Sequence, residues 1–420
     1  MKKSALFSFF LVLVTALHAG PVDPARIAGA WNGKLRVGPV ELTLVVNIAE
    51  AEAGHWKCTL DSPDQGAKGI PATVAFLSAD SIAVEVKSLV ASLRARYDGK
   101  QMSGTFTQMG TSLPITLSRE AEQLRRPQEP LPPYPYSTKS ATFQNTSAGA
   151  TLAGTLTLPV GFTPQQKATC PVVVLVTGSG QQNRDEEVFG HKPFLVLADF
   201  LARKGIATLR YDDRAFGESK GGDLQNATTL DFFADAKAAI SYLKDTERFR
   251  RVGMLGHSEG GNIAFMAGAE GLVDFVVSLA GMGEKGDVAL TAQVNRILEL
   301  SGAQPVQTVE GYREQAKAQH SAWLDWFIDY DPADHLRRIH CPVLALNGTS
   351  DCQVIADLNL AAIEKNLPKN TLTKVKACEG LNHLFQHCST GLPTEYRQTE
   401  ETLAPEVLED IAAWILSLRQ

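Results

Sequence analysis

The feature of this 420-residue chain that most restricts its fold is a Gly-x-Ser-x-Gly pentapeptide, Gly256 to Gly260. The apolar run from Arg251 to Leu255 is typical of a strand, and the small residues from Asn262 to Ala269 favour a closely packed helix. A sharp strand-to-helix turn of this kind exposes its serine and needs the two glycines, because the backbones pass too closely for side chains. The context therefore predicts that Ser258 is a nucleophile.

The N-terminus has the features of an export signal. Lys2 and Lys3 precede an apolar run from Ala5 to Ala16, which is followed by Leu-His-Ala-Gly. The run is too short for a comfortable membrane span. We expect residues 1–19 to be a signal peptide and the protein to be periplasmic or secreted, with an uncleaved anchor as the alternative.

Charge limits the classes of partner. Loss of the two leader lysines leaves 38 basic against 46 acidic side chains, a net charge of minus eight. An acidic protein without a basic stripe is not expected to bind nucleic acid. No later segment is apolar enough to enter a bilayer, so no membrane partner is expected after signal cleavage. The sequence does not indicate the oligomeric state.

The residue pattern changes along the chain, which predicts two domains. Residues 24–120 contain short alternating runs, such as Glu41 to Ile48, and predict a small antiparallel all-β domain. Five prolines then favour an extended linker over residues 121–137. In residues 138–420, strands alternate with helical patterns, which predicts an α/β fold with a mostly parallel sheet. Residues 283–331 lack strand signals and are expected to form a helical lid insertion.

A serine hydroxyl needs a base to remove its proton and an acid to orient that base. With a turn of this kind, the acid and then the histidine follow the serine along the chain. Asp351 comes directly after a predicted strand and His383 lies on the loop after the last one, so both are placed at the carboxyl edge of the sheet. His387 is a weaker candidate base. His257 adjoins Ser258 on the tight turn, which favours a structural role.

Backbone amides are expected to stabilise the oxyanion that develops during attack. One comes from the residue after the nucleophile, Glu259, and the other from the glycine-rich loop after an earlier strand. We assign the second to Ser179, with Gly180 as the alternative and as a possible substrate contact.

Two other kinds of site were considered. His383 and His387 have a four-residue spacing but lack the glutamate that follows the first histidine in zinc hydrolases, so no metal is expected. Six cysteines in an exported protein are able to pair, and a Cys378 to Cys388 bridge would tie the His383 loop together.

Several motifs in order carry a family resemblance. They are Thr-Gly-Ser-Gly-Gln-Gln-Asn-Arg-Asp-Glu from residue 177, Arg-Tyr-Asp-Asp-Arg from residue 210, Gly-His-Ser-Glu-Gly-Gly from residue 256 and Gly-Leu-Asn-His from residue 380. This half of the chain resembles the α/β-hydrolase superfamily, and within it the exported bacterial esterase and serine-aminopeptidase-like group with an N-terminal β domain. The resemblance implies an acyl-enzyme hydrolase without a cofactor, with Ser258, Asp351 and His383 as its triad.

The substrate is the least constrained part of the prediction. A small-molecule carboxylic ester is the first hypothesis, and a short peptide cleaved by an aminopeptidase is the alternative. In the peptide case Asp185, Glu186, Glu187 or Glu259 would bind the amino terminus. These acids are more simply explained as solvated groups, with Arg184 and Asp185 as a local pair. The insertion carries Trp323, Trp326, Phe327 and Tyr330. Some of these are expected to line a substrate pocket, with Trp326 and Phe327 as the first candidates, and packing against the body is the alternative that their helix-like spacing also fits. A non-catalytic envelope binding protein is the hypothesis from another class.

Overall fold

The computed structural model describes residues 24–37, 40–52, 55–78, 80–121 and 124–418. The chain forms two compact units that divide between residues 122 and 123. The predicted signal peptide lies outside the described residues. No helix in the described ranges is both long enough and apolar enough to cross a lipid bilayer.

The first unit is a closed barrel of eight antiparallel strands that are joined in sequence order. These strands are β1 (Gly29–Val37), β2 (Val40–Glu52), β3 (His55–Ser62), β4 (Ala67–Leu77), β5 (Ser81–Val86), β6 (Ala91–Tyr97), β7 (Met102–Gln108) and β8 (Thr111–Ser118). Strand β1 pairs with β8 at Asn32–Ser118 and Gly33–Leu117, which closes the barrel. The predicted antiparallel β domain is thereby confirmed.

Side chains fill the interior of the barrel. Alternation along β2 places Leu44, Val46 and Ile48 on the buried face. Trp31 is fully buried, and Tyr97 packs edge-on against it with ring centroids 5.6 Å apart. The unit therefore has a hydrophobic core of its own.

The second unit is built on an eight-stranded sheet. Its strands are β9 (Ser137–Asn145), β10 (Ala150–Leu158), β11 (Pro171–Val176), β12 (Ala207–Tyr211), β13 (Arg251–His257), β14 (Phe275–Leu279), β15 (Val343–Gly348) and β16 (Lys374–Cys378). From one edge the order is β9, β10, β12, β11, β13, β14, β15, β16. The pairs that involve β9 and β10 are antiparallel, and the other pairs are parallel. The predicted mostly parallel sheet is confirmed.

Helices cover both faces of this sheet. They are α1 (Pro193–Arg203), α2 (Thr229–Ser241), α3 (Glu259–Ala269), α4 (Gly286–Leu300), α5 (Val309–Lys317), α6 (Ala322–Phe327), α7 (Ala333–Leu336), α8 (Ala356–Asn366), α9 (Pro393–Tyr396) and α10 (Pro405–Ser417). Every residue of β11, β14 and β15 is buried, as expected for parallel strands between two helical layers. Helices α4 to α6 lie in the predicted insertion between β14 and β15, and α7 follows it.

The proline-rich segment that the sequence predicts to be an extended linker is bonded to the second unit. Its described part, residues 124–136, belongs to the second unit. The Arg126 guanidinium donates to the Arg397 carbonyl oxygen at 2.7 Å, and the Gln128 side-chain amide donates to the Leu403 carbonyl oxygen at 2.6 Å. Prolines keep this backbone extended, and polar side chains between them anchor it to the second unit.

Candidate active site

Ser258 lies on a strained turn between β13 and α3. Its φ of 54° and ψ of −119° place a non-glycine residue in a backbone region that side chains disfavour. A Cβ on Gly256 would lie 1.8 Å from the Gly260 carbonyl oxygen, and a Cβ on Gly260 would lie 2.1 Å from the Val176 carbonyl oxygen. No side chain fits at either position, so the turn requires both glycines, as the sequence pattern predicts.

Asp351 and His383 meet at the carboxyl edge of the sheet. Asp351 lies in the turn after β15, and His383 lies on the loop after β16. The His383 Nδ1 is 2.7 Å from Asp351 Oδ2, and both side chains are buried. The backbone amides of Gln353 and Val354 donate to Asp351 Oδ1 at 2.7 and 2.9 Å. The carboxylate is therefore fixed by its own turn before it orients the imidazole.

Ser258 and His383 line one cavity of about 300 Å³. The complete wall comprises Gly178, Ser179, Gln182, Glu186, Val188, Phe189, His257, Ser258, Glu259, Met282, Leu290, Gln293, Trp323, Phe327, Gln353, Val354, His383 and Leu384. Among the described contacts there is no hydrogen bond between Ser258 Oγ and the His383 ring, a contact that is often loose before substrate binds. The three predicted side chains are thus brought to one place, and one of their two hydrogen bonds is formed.

The predicted oxyanion loop follows β11 and lies against the nucleophile. A Cβ on Gly178 would be 3.2 Å from Ser258 Cβ. The Gly178 amide donates to Glu186 Oε1 at 3.1 Å, whereas the Ser179 amide has no partner among the described residues. Glu259 is the first residue of α3, where backbone N–H groups lack intrahelical acceptors. The loop's other candidate, Gly180, is not part of the cavity wall.

Asp213 holds the other end of the oxyanion loop. The Gln182 amide donates to its Oδ2 at 2.8 Å, and the Thr177 hydroxyl donates to its Oδ1 at 3.1 Å. Burial raises the pKa of Asp213 to about 8, although both of these hydrogen bonds act in the opposite direction. This role could not be predicted from the sequence, because the bonds connect residues that are more than 30 positions apart.

The side chain of Glu259 connects the nucleophile helix to the insertion. Its Oε1 accepts a hydrogen bond from Thr229 Oγ1 at 2.6 Å and one from Trp323 Nε1 at 2.9 Å. Burial raises the pKa of Glu259, and the bonds from Thr229 and Trp323 lower it in part. The Glu259 carboxyl group therefore joins α2, α3 and α6 beside the cavity.

His257 takes part in a buried network, in line with the structural role expected of it. Its Nδ1 lies 2.9 Å from Glu186 Oε1, and its Nε2 lies 2.9 Å from the His383 carbonyl oxygen. Burial lowers the pKa of His257, but the Glu186 carboxylate and the hydrogen bonds outweigh that effect, so the pKa is raised overall. Sequence analysis did not assign this contact to Glu186.

The aromatic residues of the insertion divide between two faces of α6 and the turn after it. Trp323 and Phe327 stack with centroids 4.7 Å apart, and both line the cavity. Trp326 instead stacks on Tyr330 at 4.9 Å and is not part of the cavity wall. Residues four apart share a helix face, which explains why Trp323 stacks on Phe327. Adjacent residues do not share a face, so Trp326 points away from the side of α6 that carries Phe327. Of the four aromatic residues considered, Trp323 and Phe327 line the cavity, whereas Trp326 and Tyr330 are not part of its wall.

Of the acids considered for an amino terminus, Glu186 and Glu259 line the cavity but already contact protein groups, and Asp185 and Glu187 are not part of its wall. Asp185 pairs with Arg210. Arg184 does not pair with Asp185, as the sequence suggested, but donates to both carboxylate oxygens of Asp212 at 3.0 and 2.7 Å. That two-point geometry is stronger than a contact between chain neighbours. Glu187 is exposed and is not part of the wall.

The His387 and cysteine alternatives are placed away from this chemistry. His387 is exposed, and its ring contacts Glu401 at 2.9 Å and Glu406 at 3.2 Å. Cys378 and Cys388, both in the described part of the chain, have free thiols, so the bridge considered between them is not formed. The His383 loop is held instead by hydrogen bonds, including one from the Asn382 amide to the Gln386 carbonyl oxygen at 3.0 Å.

Comparison with known proteins identifies similar sequences. A family profile described as serine aminopeptidase, S33, matches residues 192–300. The esterase EstD of Thermotoga maritima is 29% identical over 281 residues, which are 63% of this chain and 65% of that esterase. The match thus spans slightly less than two thirds of the length of this curated relative.

Solved esterase structures are also similar to part of this chain. Est1E from Butyrivibrio proteoclasticus, solved with ferulic acid bound, is 20% identical and covers 66% of this chain and 98% of its own, with a TM-score of 0.45. The Pyrococcus furiosus esterase Pf2001 is 15% identical and covers 71% of this chain and 98% of its own, with a TM-score of 0.44.

Proposed function

We propose that this chain is a member of the α/β-hydrolase superfamily and a serine hydrolase that cleaves carboxylic esters through an acyl-enzyme intermediate. The observation that carries the proposal is the buried 2.7 Å contact between His383 and Asp351, at the rim of the cavity that also contains the strained Ser258. We assign Ser258 as nucleophile, His383 as base and then acid, and Asp351 as the group that orients it.

The chemistry follows from the acid–base properties of these groups. His383 Nε2 takes the proton of Ser258 as Oγ attacks the ester carbonyl, and Asp351 stabilises the imidazolium that forms. His383 then gives this proton to the departing alcohol. Water attacks the acyl group in the second half-reaction with His383 again as base, which releases the acid and restores Ser258.

The Ser179 and Glu259 amides are proposed to hold the oxyanion. Both residues line the cavity beside Ser258, and the neighbouring Gly178 amide is already used by Glu186. Loss of one oxyanion donor costs about 100-fold to 1,000-fold in kcat, so these amides are expected to be a major part of catalysis.

An ester is favoured over a peptide because the cavity offers little to bind an amino terminus. Its wall contains apolar side chains such as Val188, Phe189 and Leu290. Its two carboxyl groups are already engaged, Glu259 by hydrogen bonds from Thr229 and Trp323, and Glu186 by the Gly178 amide and the His257 ring. The match to a serine aminopeptidase profile keeps peptide hydrolysis as the second candidate. A small-molecule ester with an apolar acyl group fits the cavity best.

The test compares substrates and a matched serine variant. Wild-type protein should hydrolyse p-nitrophenyl esters with a higher kcat/KM than amino-acid p-nitroanilides. Ser258→Ala should abolish both, whereas Ser389→Ala, at an exposed serine, should match the wild type. A fluorophosphonate should add its mass to the Ser258 peptide alone. Faster turnover of anilides would support the aminopeptidase, and absence of labelling on folded protein would support a binding protein.

We further propose that residues 1–19 direct export and that the mature protein functions in the periplasm or outside the cell. The support is the sequence pattern of two lysines, an apolar run and small residues. Mass spectrometry of protein from fractionated cells should find a mature N-terminus at residue 20 in the exported fraction. Recovery of the uncleaved chain in the cytoplasm would contradict this proposal.

A further inference from the structure

His257 and Glu186 form a buried pair between the two loops that complete the candidate site. The Glu186 Oε1 accepts the Gly178 amide at 3.1 Å and faces His257 Nδ1 at 2.9 Å. On the other side of the ring, His257 Nε2 lies 2.9 Å from the His383 carbonyl oxygen. One chain of contacts therefore runs from the oxyanion loop to the backbone of the catalytic histidine.

The partners of His257 determine where its protons lie. A carbonyl oxygen only accepts, so Nε2 must carry a hydrogen to bond with His383. An ionised carboxylate also only accepts, so toward an ionised Glu186 the Nδ1 atom is a donor as well. Both ring nitrogens then donate, which is the arrangement of an imidazolium paired with a carboxylate.

The network acts on atoms next to the reaction. The rings of His257 and His383 lie 4.8 Å apart between centroids. Gly178 is close to Ser258, and fixing its amide on Glu186 leaves the next amide, that of Ser179, without a partner among the described residues. A displacement of about 1 Å in such elements can cost about 100-fold in rate.

We propose that Glu186 and His257 are positioning residues for ester hydrolysis, which hold the oxyanion loop and the His383 backbone in register with Ser258. This inference rests on the proposed function. Neither side chain exchanges a proton with substrate. Glu186 fixes the direction of the Gly178 peptide group, and His257 fixes the carbonyl group of His383, so their loss lowers kcat more than it raises KM.

The experiment compares Glu186→Ala and Glu186→Gln with Glu187→Ala in the full chain. Glutamine keeps an acceptor for Gly178 but no charge, whereas alanine removes both. We expect Glu186→Ala to lower kcat about 100-fold on a p-nitrophenyl ester while KM changes less than about threefold, and Glu186→Gln to recover part of that loss. Glu187→Ala, at the exposed neighbour, should match the wild type.

Folding and nucleophile reactivity are measured separately. Circular dichroism and the Tm identify any variant that is unfolded at the assay temperature, and the rate of fluorophosphonate labelling at Ser258 reports the site without an ester. His257→Phe, which keeps a ring but no donor, should slow labelling as Glu186→Ala does. Folded Glu186 and His257 variants with wild-type kcat and labelling rate would overturn the inference alone. A wild-type protein with neither activity nor labelling would overturn the proposed function, and this inference with it.

Discussion

At the residue scale, the candidate site depends on the Asp351 carboxylate, which has three hydrogen-bond donors around it. In Asp351→Asn, the amide oxygen can keep the turn bonds from Gln353 and Val354, but the NH₂ group would face His383 Nδ1. The imidazole would then adopt the tautomer that cannot take the proton of Ser258. We expect kcat on a p-nitrophenyl ester to fall about 10,000-fold with a similar KM.

The control for this prediction is Asp357→Asn, an exposed carboxylate in the first turn of α8. It should leave kcat unchanged. A loss of less than about tenfold in Asp351→Asn would assign the orienting role to another group.

Asp213 predicts how stability depends on pH. Its folded pKa of about 8 is above its ordinary value near 4, so the folded state binds this proton more tightly than the unfolded state does. The free energy of unfolding that it contributes is therefore present below about pH 4 and is lost as pH rises toward about 8. The Asp213→Asn side chain stays neutral, so this variant should retain the contribution at every pH. Its Tm should therefore fall less than that of the wild type between pH 5 and pH 8.

The measurement is the difference in Tm between variant and wild type across that range, which separates Asp213 from other titrating groups. The matched carboxylate is Asp212, which pairs with Arg184 and has a lowered pKa. Asp212→Asn should not reduce the fall in Tm. A constant difference between Asp213→Asn and wild type at every pH would contradict the prediction.

What the sequence predicted at this scale followed from chemistry that is local in the chain. Ser258 was identified by its glycines, and Asp351 and His383 by their positions just after strands. Glu186 and Asp213 were missed because their partners lie on other elements, and nothing in the spacing of residues shows which carboxylate reaches which loop. The Arg184 contact was predicted wrongly for the same reason.

At the element scale, alternation and periodicity predicted most strands and helices, with boundaries displaced by one to a few residues. The residue pattern predicts a final helix from Pro405 to Leu418, and the helix is observed from Pro405 to Ser417. The pattern from Thr229 to Thr246 predicts one helix, but the α-helix ends at Ser241 and continues as a π-helical turn. Helix α8 was not predicted, because its short amphipathic pattern lies between two stronger strand signals. Strand order and barrel closure depend on pairing between distant residues, which periodicity does not specify.

The insertion provides a prediction about substrate binding. Trp323 lines the cavity and bonds to Glu259, whereas Trp326 stacks on Tyr330 outside the wall. Removal of a large apolar contact costs about 1 to 2 kcal/mol of binding, or about tenfold in KM. Trp323→Ala should therefore raise KM for long acyl chains more than for acetate, and Trp326→Ala should leave the ratio of these KM values unchanged.

Steady-state kinetics on p-nitrophenyl acetate, butyrate and octanoate measure this ratio, and the Tm of each variant separates loss of packing from loss of a substrate contact. Trp323→Phe is a milder variant, since it keeps a ring for stacking on Phe327 but cannot donate to Glu259. If Trp326→Ala alone changed the chain-length preference, substrate would contact the opposite face of α6.

At the scale of the whole molecule, the chain contains two hydrophobic cores. One fills the barrel around Trp31, and the other surrounds the sheet from β9 to β16. Every residue assigned a catalytic or positioning role lies between residues 178 and 383, within the second unit. A unit with its own core and complete site is expected to fold and function alone.

Residues 124–420 expressed alone should therefore give a folded protein with kcat/KM on p-nitrophenyl butyrate within about threefold of the full-length value. The matched protein, residues 24–121, should fold as β structure and show no hydrolysis. Calorimetry of the full-length protein should resolve two transitions, because separate cores unfold as separate cooperative units. A folded 124–420 protein that had lost most of its kcat, with Ser258 still labelled by fluorophosphonate, would mean that the barrel contributes to turnover. Loss of both ester hydrolysis and fluorophosphonate labelling, together with a low Tm, would instead show that the second core is not sufficient for folding by itself.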